Sequence, residues 1–276
     1  MPGAGLLGRC LRKAEDFCCY ASLILLVLLP VAEVIARKAL KSGVPSSSSL
    51  MTHLLLALGL FSGIITTREG EHLSISLVQY LREESRLRSF CAVVSGLVST
   101  LVLTVLFWCS LSFVRIGLTG RLVGFIPDRV FASVIPLGYA LMAFRFARRI
   151  PLRGPLPLLA VLLGTAAAFP VIAKFIWGFD VSDAVYDLIE LSAALAWNLR
   201  LPVILALILA AFMGTPLFVV IGALALILIR ADGGEIDVAA NEIYTALTQN
   251  SIIAIPLFTL AGFLLSESRA GERLVA

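Results

Sequence analysis

The run Phe17–Ala36, FCCYASLILLVLLPVAEVIA, carries a single formally charged side chain, Glu33, in twenty residues. A helix of that length reaches about 30 Å, which is the thickness of a bilayer's hydrocarbon core. Comparable apolar runs follow at roughly 50–67, 90–114, 130–147, 155–178 and 201–229, and a further one begins at 251–265. Only a helix or a closed barrel satisfies its own backbone in lipid, and runs this long read as helices. The sequence therefore predicts an all-α, polytopic membrane protein with about six to seven transmembrane helices plus interfacial amphipathic ones. Composition agrees: 59% of residues are hydrophobic and 14% charged, where a soluble domain has about half and a quarter.

The net charge of +4 is modest, and Lys and Arg fall in short clusters between apolar runs. That is membrane topology, and it argues against a nucleic-acid surface. With the N-terminus in the cytoplasm, twelve Lys and Arg fall in inside loops, among them Arg9, Arg12, Lys13, Arg68, Arg145, Arg149 and Arg230. Seven fall outside, among them Arg37, Lys38, Lys41, Arg115 and Arg200. The basic N-terminus resembles a signal peptide, but Glu33 interrupts the end of the run and no clear small-x-small cleavage site follows. The segment reads as an uncleaved first helix. The five cysteines, Cys10, Cys18, Cys19, Cys91 and Cys109, form no CxxC pair and lie in or beside apolar runs. They read as packing residues.

Two segments are amphipathic. In 68–88, Leu73, Leu77, Val78 and Leu81 recur at helical spacing opposite Arg82, Glu83 and Glu84, which predicts a helix lying in the membrane interface. In 179–198, Asp183, Asp187 and Glu190 share one face and Ala184, Leu188, Leu191 and Leu195 the other. This predicts a separate surface helix whose acidic face could dock a basic partner. The run 201–229 contains MGTP at 213–216. Each half is too short to span, so one long tilted helix broken near Gly214 and Pro216 is expected.

Few residues could carry chemistry. His53 and His72 are the two histidines, and about 28 Å of helix separates them, too far to hold one haem. His72, with Arg68, Glu69, Gly70 and Glu71, reads as the anchored end of the second helix. Lys174 sits inside the fifth span, where an ionisable group is a functional candidate unless it snorkels to the interface. Walker A, HExxH and G-x-S-x-G motifs are absent from the sequence, so neither an enzyme nor a resident cofactor or metal is expected.

Two sets of motifs resemble a known family, the tripartite ATP-independent periplasmic (TRAP) transporters. TTREGEHLSISLV supplies Arg68, Gly70 and His72 at the end of a second helix, and FIPDRVFASVIPLGYALMAFRF supplies Pro127, Pro136 and Gly138 at the entry to a fourth. Both are similar to the small (Q) membrane subunit. LILAAFMGTPLFVVIGALALILI, with Gly214 and Pro216, and SIIAIPLFTLAGFLLSESRAGERLV, with Pro256, Gly262 and Arg273, resemble the opening of the large (M) subunit.

The resemblance implies a division into 1–150, small-subunit-like; 151–198, a connector with an extra transmembrane helix and a periplasmic amphipathic helix; and 199–276, the start of the large subunit. It implies secondary active import of an organic acid of the C4-dicarboxylate kind, driven by a sodium or proton gradient, across a bacterial inner membrane. The expected partners are a periplasmic substrate-binding protein and the remainder of the large subunit, which would continue past Ala276 and hold the substrate and ion sites. The rival reading is a non-transporting membrane anchor for a sensor or redox complex, which has no reason to carry the 251–276 motif.

Overall fold

The computed structural model describes residues 6–41, 43, 46–75, 86–123, 126–151, 154–177 and 183–268. It is helical almost throughout. In chain order the elements are α1 (Leu6–Leu40), α2 (Ser47–Glu69), α3 (Arg86–Ser112, ending in a π turn Phe113–Gly117), β1 (Arg121–Val123), β2 (Ile126–Pro127), α4 (Asp128–Ala132), α5 (Val134–Arg149), α6 (Leu156–Ala167), α7 (Phe169–Trp177), α8 (Asp183–Phe212), α9 (Leu217–Ala231), α10 (Val238–Leu247), a 3-10 turn (Asn250–Ile253) and α11 (Ala254–Glu267). β1 and β2 pair antiparallel in a small ribbon. Among the described residues six helical segments are long and apolar enough to cross a membrane, and the bent pair α6–α7 makes a seventh. The expected architecture of six to seven spans holds.

The fifth span was expected to be a single crossing. It bends by 62° between α6 and α7. Pro170 explains the bend, because it has no N–H to donate and its ring crowds the carbonyl one turn back. The chain re-forms its hydrogen bonds around the break, with Ala168 N bonded to Gly164 O and Ile172 N to Ala168 O.

The helices sort into two compact units that interleave along the chain. The first takes Met1–Phe61, Gly120–Phe131 and Ile243–Ala276. Its core is a small cluster of Leu26, Leu55 and Ile253, with Met51, Leu54, Leu58, Ile252 and Leu257 packed against it. Polar bonds join the same elements. Ser48 Oγ donates to Asn250 Oδ1 at 2.7 Å, and the Tyr244 hydroxyl donates to His53 Nε2 at 2.8 Å. His53 Nδ1 lies 2.7 Å from the Ser49 carbonyl, which only accepts, so the Nδ1–H tautomer is fixed. Burial, with Asp128 nearby, pushes the Tyr244 phenol up to about 12, so it stays a donor.

The second unit takes Ser62–Thr119 and Ala132–Glu242, and α3 is its hub. α5, α6, α7, α8 and α9 all pack on α3. Its buried residues include many small and hydroxylic ones: Gly96, Ser99, Thr100, Thr104, Cys109 and Ser110. In lipid there is no hydrophobic gain from helix association, so small residues that let backbones approach are what hold such bundles. Three of these hydroxyls bond within their own helix, Thr100 to Gly96 O and Thr104 to Thr100 O at 2.7 Å and Ser110 to Phe107 O at 2.9 Å, while Ser99 Oγ has no partner among the described residues. The tightest approach is at Gly164 of α6. A Cβ there would sit 2.7 Å from the Leu101 carbonyl oxygen and 2.9 Å from Thr104 Cβ.

Gly164→Val therefore wedges α6 away from α3. The expected loss is roughly 1–3 kcal/mol, read as a lower midpoint of thermal unfolding of the purified protein in detergent. Gly262→Ala is the control, since a Cβ there meets nothing within 4 Å.

Candidate functional site

Two ends of the second unit concentrate its polar chemistry. The first is the end of α2. Gly70 lies at φ +86, a conformation glycine adopts without strain, and it terminates the helix. Gly70 N bonds Thr66 O at 2.8 Å and Glu71 N bonds the same carbonyl at 3.2 Å. Two arginines of α5 donate to carbonyls of the last two turns. Arg149 Nη2 donates to Arg68 O at 2.6 Å and Arg145 Nη1 to Ile64 O at 2.5 Å. Cations at a helix C-terminus also complement its dipole. Arg68 itself pairs with Glu69 at 2.8 Å.

His72 folds back onto this cap. Thr67 Oγ1 donates to Gly63 O, so it accepts from His72 Nε2 at 2.7 Å, which fixes the Nε2–H tautomer. The ring stacks on Phe146 of α5 and tilts against Phe218 of α9, with centroids 5.8 and 5.0 Å away. Burial, reinforced by the Arg149 guanidinium, holds the imidazole below the usual histidine range. Gly70 ends α2 and turns the chain, and His72 packs inward on Phe146 and Phe218. Of the interfacial helix predicted for 68–88, residues 76–85 lie outside the described residues; 68–69 end α2, 71–75 are not helical and 86–88 begin α3.

The α8–α9 connection corrects an expectation. Residues 201–229 do not form one tilted helix. α8 and α9 are antiparallel, and MGTP is the turn between them. Gly214 at φ +92 is the left-handed residue that closes α8. Thr215 N bonds Ala210 O and Gly214 N bonds Ala211 O, the paired closure that ends a helix at glycine. Pro216 then opens α9. Ser95 Oγ of α3 donates to Gly214 O at 3.1 Å, and Leu217 N donates to Leu73 O at 3.0 Å. A glycine followed two residues later by proline is a helix-stop signal; what hid the turn was the unbroken apolar composition on both sides.

The second end is a cleft of about 760 Å³ among α7, the first turns of α8 and residues 230–237. Lys174 crosses it to Glu235 at 2.5 Å and to Asp237 at 3.5 Å. Lys174 is thus an ion-paired residue, and free snorkelling to the headgroups does not describe it. Arg230 donates to Ser192 Oγ, Gly234 O and the Ile189 carbonyl, tying the end of α9 to the start of α8. This places Arg230 at the Lys174 end of the unit, opposite Arg68 and Arg149, so it leaves the inside set of the charge count.

Asp183, Asp187 and Glu190 are exposed, and Glu190 lines the cleft. They do not form a separate amphipathic helix. They are the first turns of α8, which runs unbroken through Pro202. Leu188, Leu191 and Leu195 are exposed as well, which suits a helix facing lipid rather than one lying on a protein surface. Pro136 and Gly138 are buried in α5, and Pro127 lies in β2. Pro256 sits in the first turn of α11, where its missing N–H costs no bond. Gly262 is exposed with open space around it, and Arg273 lies outside the described residues. Sequence reasoning passed over Ser192, Glu235 and Asp237, whose roles rest on long-range contacts.

The fold is that of a multi-pass helical membrane protein. Residues 26–153 match the family model described as Tripartite ATP-independent periplasmic transporters, DctQ component. The matched stretch contains Arg68, Gly70, His72, Pro127, Pro136 and Gly138, and the family it describes is a transporter component. Comparison with curated proteins and comparison with solved structures give no match.

Arg230→Met removes the guanidinium donors that tie the end of α9 to Ser192 and Ile189 of α8 and leaves the Ile189 and Gly234 carbonyls without them. The expected cost is roughly 1–3 kcal/mol, seen as faster amide exchange at the C-terminal end of α9 with α3 unchanged.

Proposed function

We propose that this chain is a membrane component of a TRAP-type secondary transporter that imports an organic acid of the C4-dicarboxylate class. The match of residues 26–153 to the DctQ component carries this reading. Residues 1–150 act as the small membrane domain, 151–198 as the connector and 199–276 as the opening scaffold of a large subunit. The second unit, held on α3 by small residues and tied at the end of α2 by arginines of α5, has the build of a rigid scaffold. The protein sits in the bacterial inner membrane with its N-terminus in the cytoplasm and works by symport with sodium or protons.

On this reading the Lys174 end of the second unit faces the periplasm and meets the soluble substrate-binding protein. Exposed Asp183, Asp187 and Glu190 supply a negative surface there, and such a surface raises association rates by steering. We place the substrate and coupling-ion sites on other elements of the large subunit.

Deleting the gene from its host tests the transport reading. Gradient-driven, binding-protein-dependent uptake of labelled succinate is expected to fall to background and to return with the intact gene; unchanged uptake rejects the reading. Reversing Asp183, Asp187 and Glu190 to Lys is expected to slow association of the binding protein about tenfold or more at low salt. The difference should shrink as salt screens the charges, as followed by surface binding kinetics.

A further inference from the structure

We propose that His72 is a proton-controlled clamp that seats the α8–α9 turn on the end of α2, holding it when neutral and loosening it when protonated. The turn meets this end of the second unit at three kinds of contact. Leu217 N bonds Leu73 O, Ser95 Oγ bonds Gly214 O, and the Phe218 ring lies on the His72 imidazole. Of these, only the imidazole titrates. Its ring fills the space between α5 and α9, between Phe146 and Phe218.

The surroundings favour the neutral ring. Nε2–H already has its acceptor in Thr67 Oγ1, and Nδ1 faces the Thr66 hydroxyl at 3.4 Å. Thr66 spends its own proton on the Ser62 and Gly63 carbonyls, so its oxygen offers an added Nδ1 proton one long, weak acceptor, and the case for the neutral ring rests on burial and on the charges around it. The charged groups around the ring are mostly basic. α5 presents Arg149 and Arg145, both held on α2 carbonyls, and α2 presents Arg68, whose partner is Glu69. Glu71 is exposed. The turn itself, Met213 to Phe218, brings no charge. An added proton meets desolvation and the Arg149 guanidinium, and the two phenyl faces offset only part of that.

Linkage sets the sign. Once the turn lifts away, the ring returns to water and to the ordinary value near 6.5. The seated form, whose imidazole lies lower, binds fewer protons. Seating is therefore complete above about pH 6.5 and is lost as pH falls through the lowered value. At pH 5.5, one unit below the ordinary value, the weakening is bounded at about tenfold.

The full chain in lipid nanodiscs tests this by hydrogen–deuterium exchange of the Met213–Phe218 segment, corrected for the intrinsic pH dependence of exchange. Between pH 7.5 and 5.5 the opening of the Leu217 amide should rise about two- to tenfold in the wild type. It should stay flat in His72→Gln, which keeps an N–H donor for Thr67 without titrating. No rise in the wild type, or an equal rise in His72→Gln, overturns the proposal. Should that variant fail to fold, histidine-labelled wild type gives a second readout. The chain has two histidines, and the signal that Phe218→Leu shifts belongs to His72. A midpoint below 6.5 supports the clamp and one at or above it rejects it. Neither readout depends on transport, so failure here and failure of the transporter reading are separate results.

Discussion

A helix end leaves carbonyls without donors from their own helix, and in the second unit the closure of these ends is bound up with contacts to neighbouring helices. At the end of α2 the donors are two arginines from α5. At the α8–α9 turn they are the turn's own amides and Ser95 of α3. At the end of α9 the amides of Asp232, Gly233 and Gly234 close the helix, and Arg230 bonds Gly234 O and Ile189 O, joining that end to α8. Helix ends in the second unit are thus also points of contact between its helices.

The same constraint explains the hub. α3 carries hydroxyls that would be costly in lipid, yet Thr100 and Thr104 return their protons to their own helix. That leaves a narrow, small-residue surface on which α6 can approach until Gly164 touches the Leu101 carbonyl. Such close packing directs attention to the few contacts that change with conditions, the His72 ring first among them.

Much of the candidate site was legible as residue types and hardly at all as geometry. Arg68, Gly70 and His72 could be read as an anchored helix end, because a glycine following a charged helix terminus has a local meaning. The partners that make it a site, Arg145, Arg149, Phe146 and Phe218, lie some seventy or more residues away, and no local pattern points to them. Lys174 stood out as an ionisable residue in a span, but Glu235 and Asp237 were unremarkable loop acids until the fold set them beside it.

By itself the sequence determined that the chain is helical and membrane-spanning, where most spans begin and end, and that 26–153 follow a small-subunit pattern. Those properties depend on hydropathy and helix length, which act over a few turns. Only the tertiary structure decided that α6 and α7 bend, that MGTP reverses the chain, and that Arg230 sits at the Lys174 end. A glycine–proline pair in an apolar run permits a kink or a full turn at similar local cost. The choice rests on whether distant partners, here the Ser95 hydroxyl, the Leu73 carbonyl and, at the far end of α9, Arg230, reward the reversal.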